Sequence, residues 1–324
     1  MQAIAIAPDG RLSWSATADP PAPGDGEVLV EVAAAGVNRA DLLQRAGHYP
    51  PPPGASAILG MECAGTVSAV GPGVTAWRTG DRVCALLAGG GYAELVVVPA
   101  GHCLPVPDWM TLTDAAALPE AVCTAWSNLA GVGRLAAGEV ALIHGGAGGV
   151  GTVALQVARL LGAGAVVTTA RAEHADRLVA LGATGVVDYN SGDFVEAMRE
   201  LGGADVVLDV LGAAYLARNL EALAVDGRLV VIGLQTGRRA EADLGLLLAK
   251  RASVAATTLR NRSAAFKAAL IEEIRLRCWE SGGAPAIRPV VARVLPVERA
   301  EDAHAMLEAG GHLGKVVLQV RDVR

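Results

Sequence analysis

No two cysteines in this sequence stand at C-x-x-C spacing. The five, Cys63, Cys84, Cys103, Cys123 and Cys278, are scattered and odd in number. That excludes a disulfide framework and fits a reducing cytoplasm; they read as buried small hydrophobes. No apolar run reaches the roughly 18 residues of a membrane helix, because Gly, Arg, Asp or Glu breaks each one. The start, Met1-Gln2-Ala3-Ile4, lacks the basic region and long apolar stretch of a secretory signal, so a cytoplasmic location is expected. There is no Lys/Arg block and the net charge is −6, so nucleic acid is not expected as the main partner. The histidines, His48, His102, His144, His174, His304 and His312, are dispersed and none pairs with a Cys at zinc-ligand spacing, so no metal is expected. A G-x-S-x-G elbow is missing too, which argues against a serine hydrolase.

What is present is a chain of 324 residues, 52% hydrophobic and 19% charged, with a mean hydropathy of +0.39. The length suggests about two domains, and the composition a well-filled core. Residues 1 to about 117 read as β-rich. Strand patterns at Ile4–Ile6, Glu27–Val32, Gly60–Val70, Asp81–Leu87 and Tyr92–Val98 are separated by Gly/Pro breaks, as in a barrel-like domain. Asn38 is placed to cap a short helix, and Pro50–Pro53 then form a rigid loop. Asp114–Ala130 is helical in pattern, with Pro119 inside it.

From Val140 the rhythm becomes strand, helix, strand, helix: Val140–Ile143, Ala165–Ala170, Val186-Val187, Ala204–Val210 and Arg228–Ile232 alternate with helical patterns. The helices follow Val150, then Glu173–Leu181, Phe194–Leu201 and Leu216–Ala224. This predicts an α/β fold with a doubly wound parallel sheet. A tail of helix (Ala264–Ser281), strand (Val290–Pro296), helix (Ala300–Ala309) and strand (Val316–Val320) follows.

The first βα junction carries chemistry. Val140–Ile143 runs into His144-Gly145-Gly146-Ala147-Gly148-Gly149-Val150-Gly151, and a helical pattern follows. Glycines at Gly145, Gly148 and Gly151, between a strand and a helix, suit a dinucleotide pyrophosphate: the backbone can approach closely, and the helix N-terminus offers N–H groups. In NAD-binding chains a carboxylate about 20 residues on holds the ribose 2′-hydroxyl. Here the strand ends in Arg171, which can pair with a 2′-phosphate, so the expected cofactor is NADPH. Glu173, two residues on, is the residue that would oppose a phosphate there. Tyr189, after the third strand, is placed to meet the adenosine end, while Asp209 and Gly233-Leu234 close later strand ends.

The segments V-N-R-A-D-L-L-Q-R-A-G-H-Y-P-P-P-P-G, I-L-G-M-E-C-A-G-T-V, L-I-H-G-G-A-G-G-V-G and G-K-V-V-L resemble the quinone oxidoreductase branch of the medium-chain dehydrogenase/reductase superfamily, most of all the NAD(P)H quinone oxidoreductases that a tumour suppressor induces in mammals. The resemblance spans nearly the whole chain. It implies a GroES-like β-rich catalytic domain over 1–117, a Rossmann domain over 118–258, and a segment, 259–324, that completes the first domain. Asn38 stands where zinc-dependent relatives carry a Cys ligand, and Gly60-Met61-Glu62 where they carry Gly-His-Glu; the four-cysteine structural zinc lobe is missing as well. By the resemblance, Asn38, Asp41 and Tyr49 line the nicotinamide and substrate pocket, and Tyr49 or a water hydrogen-bonds the acceptor oxygen. Thr124 lies against the nicotinamide, Gly148, Gly149 and Val150 hold the pyrophosphate, and Arg171 and Tyr189 flank the adenosine phosphate. Gly233, Leu234, Leu259, Arg260 and Lys315 also approach the cofactor. Where relatives carry Ser and Lys after the second strand, this chain has Arg171 and Glu173. The implied activity is metal-free hydride transfer from NADPH to a quinone. The alternatives are reduction of another activated alkene or carbonyl, an enone or alkenal, and a non-catalytic NADPH-binding protein. A homodimer through the edge strand near Ser253–Leu259 is expected.

Overall fold

The computed structural model describes residues 1–279 and 287–321. The chain forms two compact units: Met1–Cys123 with Arg260–Arg324, and Thr124–Leu259. The boundaries expected from the sequence lie at 117/118 and 258/259.

The first unit opens with an antiparallel pair, β1 (Gln2–Ile6) and β2 (Leu12–Ala16). It continues through β3 (Glu27–Gly36), α1 (Arg39–Arg45), β4 (Glu62–Val70), β5 (Arg82–Leu86), β6 (Leu95–Pro99), β7 (Cys103–Pro105), α2 (Leu112–Ala115) and α3 (Pro119–Trp126). In β3 the alternating Val28, Val30 and Val32 are fully buried against Val67, Val83, Val96 and Val98, the period-2 pattern of a sheet with one face on a core. From Ala33 to Gly36 the strand carries only small residues, all buried. Pro119 has no N–H to donate, so the expected long helix is split into α2 and α3. A wider π turn, Ser127–Val132, then ends it.

The second unit alternates β8 (Val140–His144), α4 (Gly149–Leu160), β9 (Ala165–Ala170), α5 (Ala175–Ala180), β10 (Gly185–Asp188), α6 (Phe194–Glu200), β11 (Ala204–Asp209), α7 (Leu216–Ala222), β12 (Leu223–Val231), α8 (Leu244–Lys250) and β13 (Ser253–Ala256). Its six strands are all parallel, in the order β10-β9-β8-β11-β12-β13. That is the doubly wound Rossmann order, with its switch point between β8 and β11. Leu142, Val167, Val207 and Leu229 from four strands pack with Phe194, Met198 and Leu220 from α6 and α7.

The first unit resumes with α9 (Ala264–Ile274), β14 (Val291–Pro296), α10 (Ala300–Ala309) and β15 (Lys315–Gln319). β15 pairs with β3 and completes a seven-stranded sheet, β14-β15-β3-β4-β5-β7, with β6 also on β3. The tail therefore belongs to the β-rich unit, as a GroES-like fold with an inserted Rossmann unit requires. The expected helix Ala264–Ser281 is α-helical to Ile274 and π-wound over Arg275–Trp279; its last two positions lie outside the described residues. Among the described residues no helix is long and apolar enough to cross a membrane.

Candidate functional site

In the second unit the parallel sheet brings the C-terminal strand ends to one edge. β8 ends at His144 and the glycine turn follows. Gly145 takes φ +70, a left-handed conformation that costs glycine little. Gly148 is the N-cap residue of α4, with extended backbone. The three motif glycines do different work. A Cβ on Gly151 would lie 2.2 Å from the Gly145 carbonyl oxygen, and one on Gly146 2.1 Å from Thr168 Oγ1. These two let helix and strand close up. A Cβ on Gly148 would meet only the Gly145 oxygen, at 3.3 Å, so the space above the turn is open. The first-turn N–H groups of α4, from Gly149, Val150 and Gly151, have no intrahelical acceptor by geometry, and their end of the helix favours an anion. This cradle fits a pyrophosphate.

Three side chains beneath the turn hold it. Thr169 Oγ1 accepts the Gly145 N–H at 3.2 Å and lies 3.1 Å from His144 Nδ1, while Thr168 Oγ1 donates to the Ile143 carbonyl at 2.6 Å. His144 Nε2 meets Asn219 Oδ1 at 2.7 Å. Burial holds the His144 imidazole down at about 4, so it is neutral at pH 7. Sequence reasoning gave none of these residues a role, because their partners come from neighbouring strands and α7.

Arg171 follows β9 directly. Its Nε donates to the Tyr189 hydroxyl at 3.0 Å, so the two residues predicted for the adenosine end stand together. Both are solvent-exposed, and the Glu173 carboxylate lies at 3.9 Å from the guanidinium. Gly233 follows β12, and a Cβ there would lie 2.5 Å from the Val210 carbonyl oxygen, so the ends of β11 and β12 approach backbone to backbone. Leu234 is exposed and Leu259 buried. Asp209 is buried at the end of β11, where its carboxylate accepts the N–H groups of Leu211 and Gly212; it shapes the turn. The Thr124 carbonyl accepts Asn128 Nδ2 at 2.8 Å, and Asn128 Oδ1 accepts Thr257 Oγ1 at 2.6 Å, which fixes the π turn after α3.

The first unit holds a different kind of cluster, buried and ionic. Asn38 is the N-cap residue of α1, as expected, and forms a capping box with Asp41. Asn38 Nδ2 donates to Glu62 Oε1 at 2.9 Å, and Asn38 Oδ1 accepts Lys315 Nζ at 2.6 Å. Lys315 also forms an ion pair with Glu62, and both are buried. The other Glu62 oxygen accepts the Glu120 N–H at 2.9 Å. Burial and the Glu62 charge push the Glu120 carboxyl up to about 7. A Cβ on Gly36 would lie 2.3 Å from Glu62 Oε1, so only glycine admits this carboxylate.

Three residues expected at the site are buried charges with partners of their own. Asp41, expected to line a pocket, is 0% exposed and accepts the N–H groups of Asn38 and Gly60 and the Tyr92 hydroxyl. Lys315, expected to approach the cofactor, has its ammonium committed to Glu62 and Asn38. Arg260, expected beside the cofactor as well, is 4% exposed and donates to the carbonyls of Ala88 and Tyr49 and to Gln44 Oε1. Its guanidinium also lies 5.3 Å from the centre of the Tyr49 ring. Arg260 thereby fixes Tyr49, the predicted hydrogen-bond donor, at the start of the proline loop. Lys315 and Arg260 find all these partners far away in sequence, and Asp41 finds one close by, Asn38, and two farther off.

The residues do not fit a catalytic zinc. The ligand positions named by the resemblance hold Asn38 and Met61, and a lysine ammonium lies against Glu62. Among the described residues no three or more His, Cys, Asp or Glu are grouped to hold a metal.

Comparison with known proteins matches residues 24–108 to a family described as the alcohol dehydrogenase GroES-like domain and residues 149–275 to one described as zinc-binding dehydrogenase. The chain is 35% identical over 312 residues to a component of the phenolphthiocerol/phthiocerol polyketide synthase of Mycobacterium tuberculosis; 92% of this chain is covered, but it spans only 14% of that protein's length. It is 34% identical over 320 residues to the synaptic vesicle membrane protein VAT-1 homolog of Rattus norvegicus, covering 94% of this chain and 79% of that one. Among solved structures, mycobacterial Rv1454c complexed with NADPH is 35% identical with a TM-score of 0.82, covering 98% and 99% of the two chains. A mycobacterial quinone oxidoreductase gives the same identity and coverage with a TM-score of 0.79. The CurK enoyl reductase is 29% identical with a TM-score of 0.85, covering 98% of each chain. With both family matches, the Rossmann strand order and relatives of this identity over nearly the full length, the chain belongs to the medium-chain dehydrogenase/reductase superfamily, in its quinone oxidoreductase branch.

Proposed function

We propose that this protein is an NADPH-dependent reductase that passes a hydride to a quinone without a metal. The observation that carries the cofactor assignment is the Arg171 guanidinium at the end of β9, hydrogen-bonded to the Tyr189 hydroxyl. An NAD-binding chain keeps a carboxylate at that strand end, which would repel a 2′-phosphate. In this reading Gly148, Gly149 and Val150 hold the pyrophosphate through backbone N–H groups. Arg171 and Tyr189 hold the 2′-phosphate. Thr124, Gly233, Leu234 and Leu259 complete the nucleotide contacts. Asn38 and Tyr49 serve the acceptor, and Arg260 and Lys315 support them from behind. When bound, NADPH supplies the hydride, and the chain binds, orients and excludes water. The acceptor assignment is supported by the 35% identity to a mycobacterial quinone oxidoreductase across 98% of this chain.

A second reading, reduction of a conjugated carbon–carbon double bond, is favoured by the polyketide synthase relative and the enoyl reductase structure. The working form in our proposal is a cytoplasmic homodimer. β13 is an edge strand with Ser253, Val254 and Ala256 exposed, and Leu244 and Leu248 of the preceding helix are 69% and 79% exposed; such an edge calls for a partner.

Oxidation of NADPH and NADH against benzoquinones, naphthoquinones and 2-alkenals, with metal analysis of the same sample, tests the proposal. The expected result is NADPH-preferring turnover with quinones and no stoichiometric zinc. Turnover confined to alkenals supports the second reading. Tight NADPH binding without turnover on any acceptor supports a non-catalytic binding protein.

A further inference from the structure

Three separated segments of the first unit converge on the Asp41 carboxylate. Its Oδ2 accepts the Asn38 N–H at 2.8 Å and the Tyr92 hydroxyl at 3.2 Å; its Oδ1 accepts the Gly60 N–H at 3.0 Å. In an ordinary helix start the Asn38 side chain would accept the N–H of Asp41. Here that N–H also reaches the Asn38 backbone carbonyl at 2.9 Å, and the Asp41 carboxylate accepts the Asn38 N–H in return, the reciprocal arm of a capping box. The Asn38 amide also faces Glu62 and Lys315. The Gly60 side of the clamp is equally constrained. Gly60 has φ +100, and a Cβ there would lie 2.7 Å from Gly91 Cα and Tyr92 N. Gly60 leads directly into Met61 and Glu62. One carboxylate therefore sets both the Asn38 side and the Glu62 side of the buried cluster.

We propose that Asp41 is a positioning residue for the reductase reaction, acting through Asn38 and the Gly60–Glu62 turn and never touching substrate or cofactor. This rests on the reductase reading above. Asp41 bonds the Tyr92 hydroxyl and feels the charges of Lys315, Glu120 and Arg260, and His304 Nε2 lies 3.4 Å from the Tyr92 hydroxyl. Burial raises the Asp41 carboxyl to about 6, against the Asn38 and Gly60 N–H groups, Lys315 and the Tyr92 hydroxyl, which lower it. Protonation removes an acceptor from the clamp. The clamp therefore loosens as pH falls through that region.

The test is the pH profile of turnover in wild type, Asp41→Asn and Tyr92→Phe, with amide shifts of Asn38 and Gly60 followed by NMR in the wild-type protein. Wild type should show an acid limb near pH 6. Asp41→Asn should lose that limb and about tenfold in kcat while KM for NADPH stays within about twofold. Tyr92→Phe should move the limb to higher pH, because the hydroxyl stabilises the charged carboxylate. The two amides should titrate together, whether or not Asp41→Asn folds. Wild-type kcat and profile in Asp41→Asn, an unmoved limb in Tyr92→Phe, or amides that titrate independently would overturn the proposal. Wild type without turnover on any acceptor would instead remove the reductase reading, and the coupled amide titration would still decide the clamp.

Discussion

The two units build their working surfaces in opposite ways. The Rossmann unit offers backbone: a glycine turn, a helix start and an exposed Arg171–Tyr189 pair at strand ends. The β-rich unit offers buried side chains: Asn38, Asp41, Glu62 and Lys315, all at most 8% exposed. A phosphate arrives with its own charge, so its cradle needs only N–H groups and room. Buried carboxylates must find a cation or N–H and O–H donors within the fold before anything binds. The glycine turn should therefore punish added volume above all, and the buried cluster should punish the loss of any one partner.

The largest effect is expected from Lys315→Met. It leaves Glu62 buried without its cation and should cost about 3–5 kcal/mol of stability, read from chemical denaturation. Adding Glu62→Gln should restore a large part of that, because the uncompensated charge goes too. Equal stability of single and double variants would show that the ion pair does not organise this unit. In the Rossmann unit Gly151→Ala should lose about 1–3 kcal/mol and more than tenfold in NADPH affinity, since its Cβ would press on the Gly145 carbonyl oxygen at 2.2 Å. An alanine variant that binds NADPH normally would show that the turn has slack.

The smallest effect concerns two buried histidines, one in each unit. Burial depresses both His304 and His144 to about 4. The unfolded chain takes up protons below about 6.5 that the folded chain refuses, so the stability present above that pH is lost as pH falls toward 4. His304→Gln should remove about 2 kcal/mol of the loss between pH 7 and pH 5. His144→Gln should do the same in the other unit. A response in one variant and not the other would mean that surroundings, and not burial, control these imidazoles.

Much of the Rossmann unit was legible because its signals are local. Ala165–Ala170 falls on the residues expected, and the glycine turn sits between a strand and a helix as its spacing required. The short elements were missed. β2, β7 and α8 are three to seven residues long, too short for a period to declare itself. The buried cluster was half legible. Asn38, Asp41 and Lys315 were named as site residues, but the bonds among the cluster were not. Their actual partners lie 24 and 277 positions apart in sequence, from Asn38 to Glu62 and to Lys315, and no spacing rule reaches that far. Tyr92 carried no role in the sequence either, because its Asp41 partner lies 51 positions away.

The most direct test is calorimetric binding of NADPH and NADH to wild type and Arg171→Ala. Wild type is predicted to bind NADPH at least tenfold more tightly than NADH. The variant should weaken NADPH by about 10–100-fold, the worth of a charge-assisted pair, with NADH nearly unchanged. Equal losses for both nucleotides, or a wild-type protein that binds neither, would contradict the account.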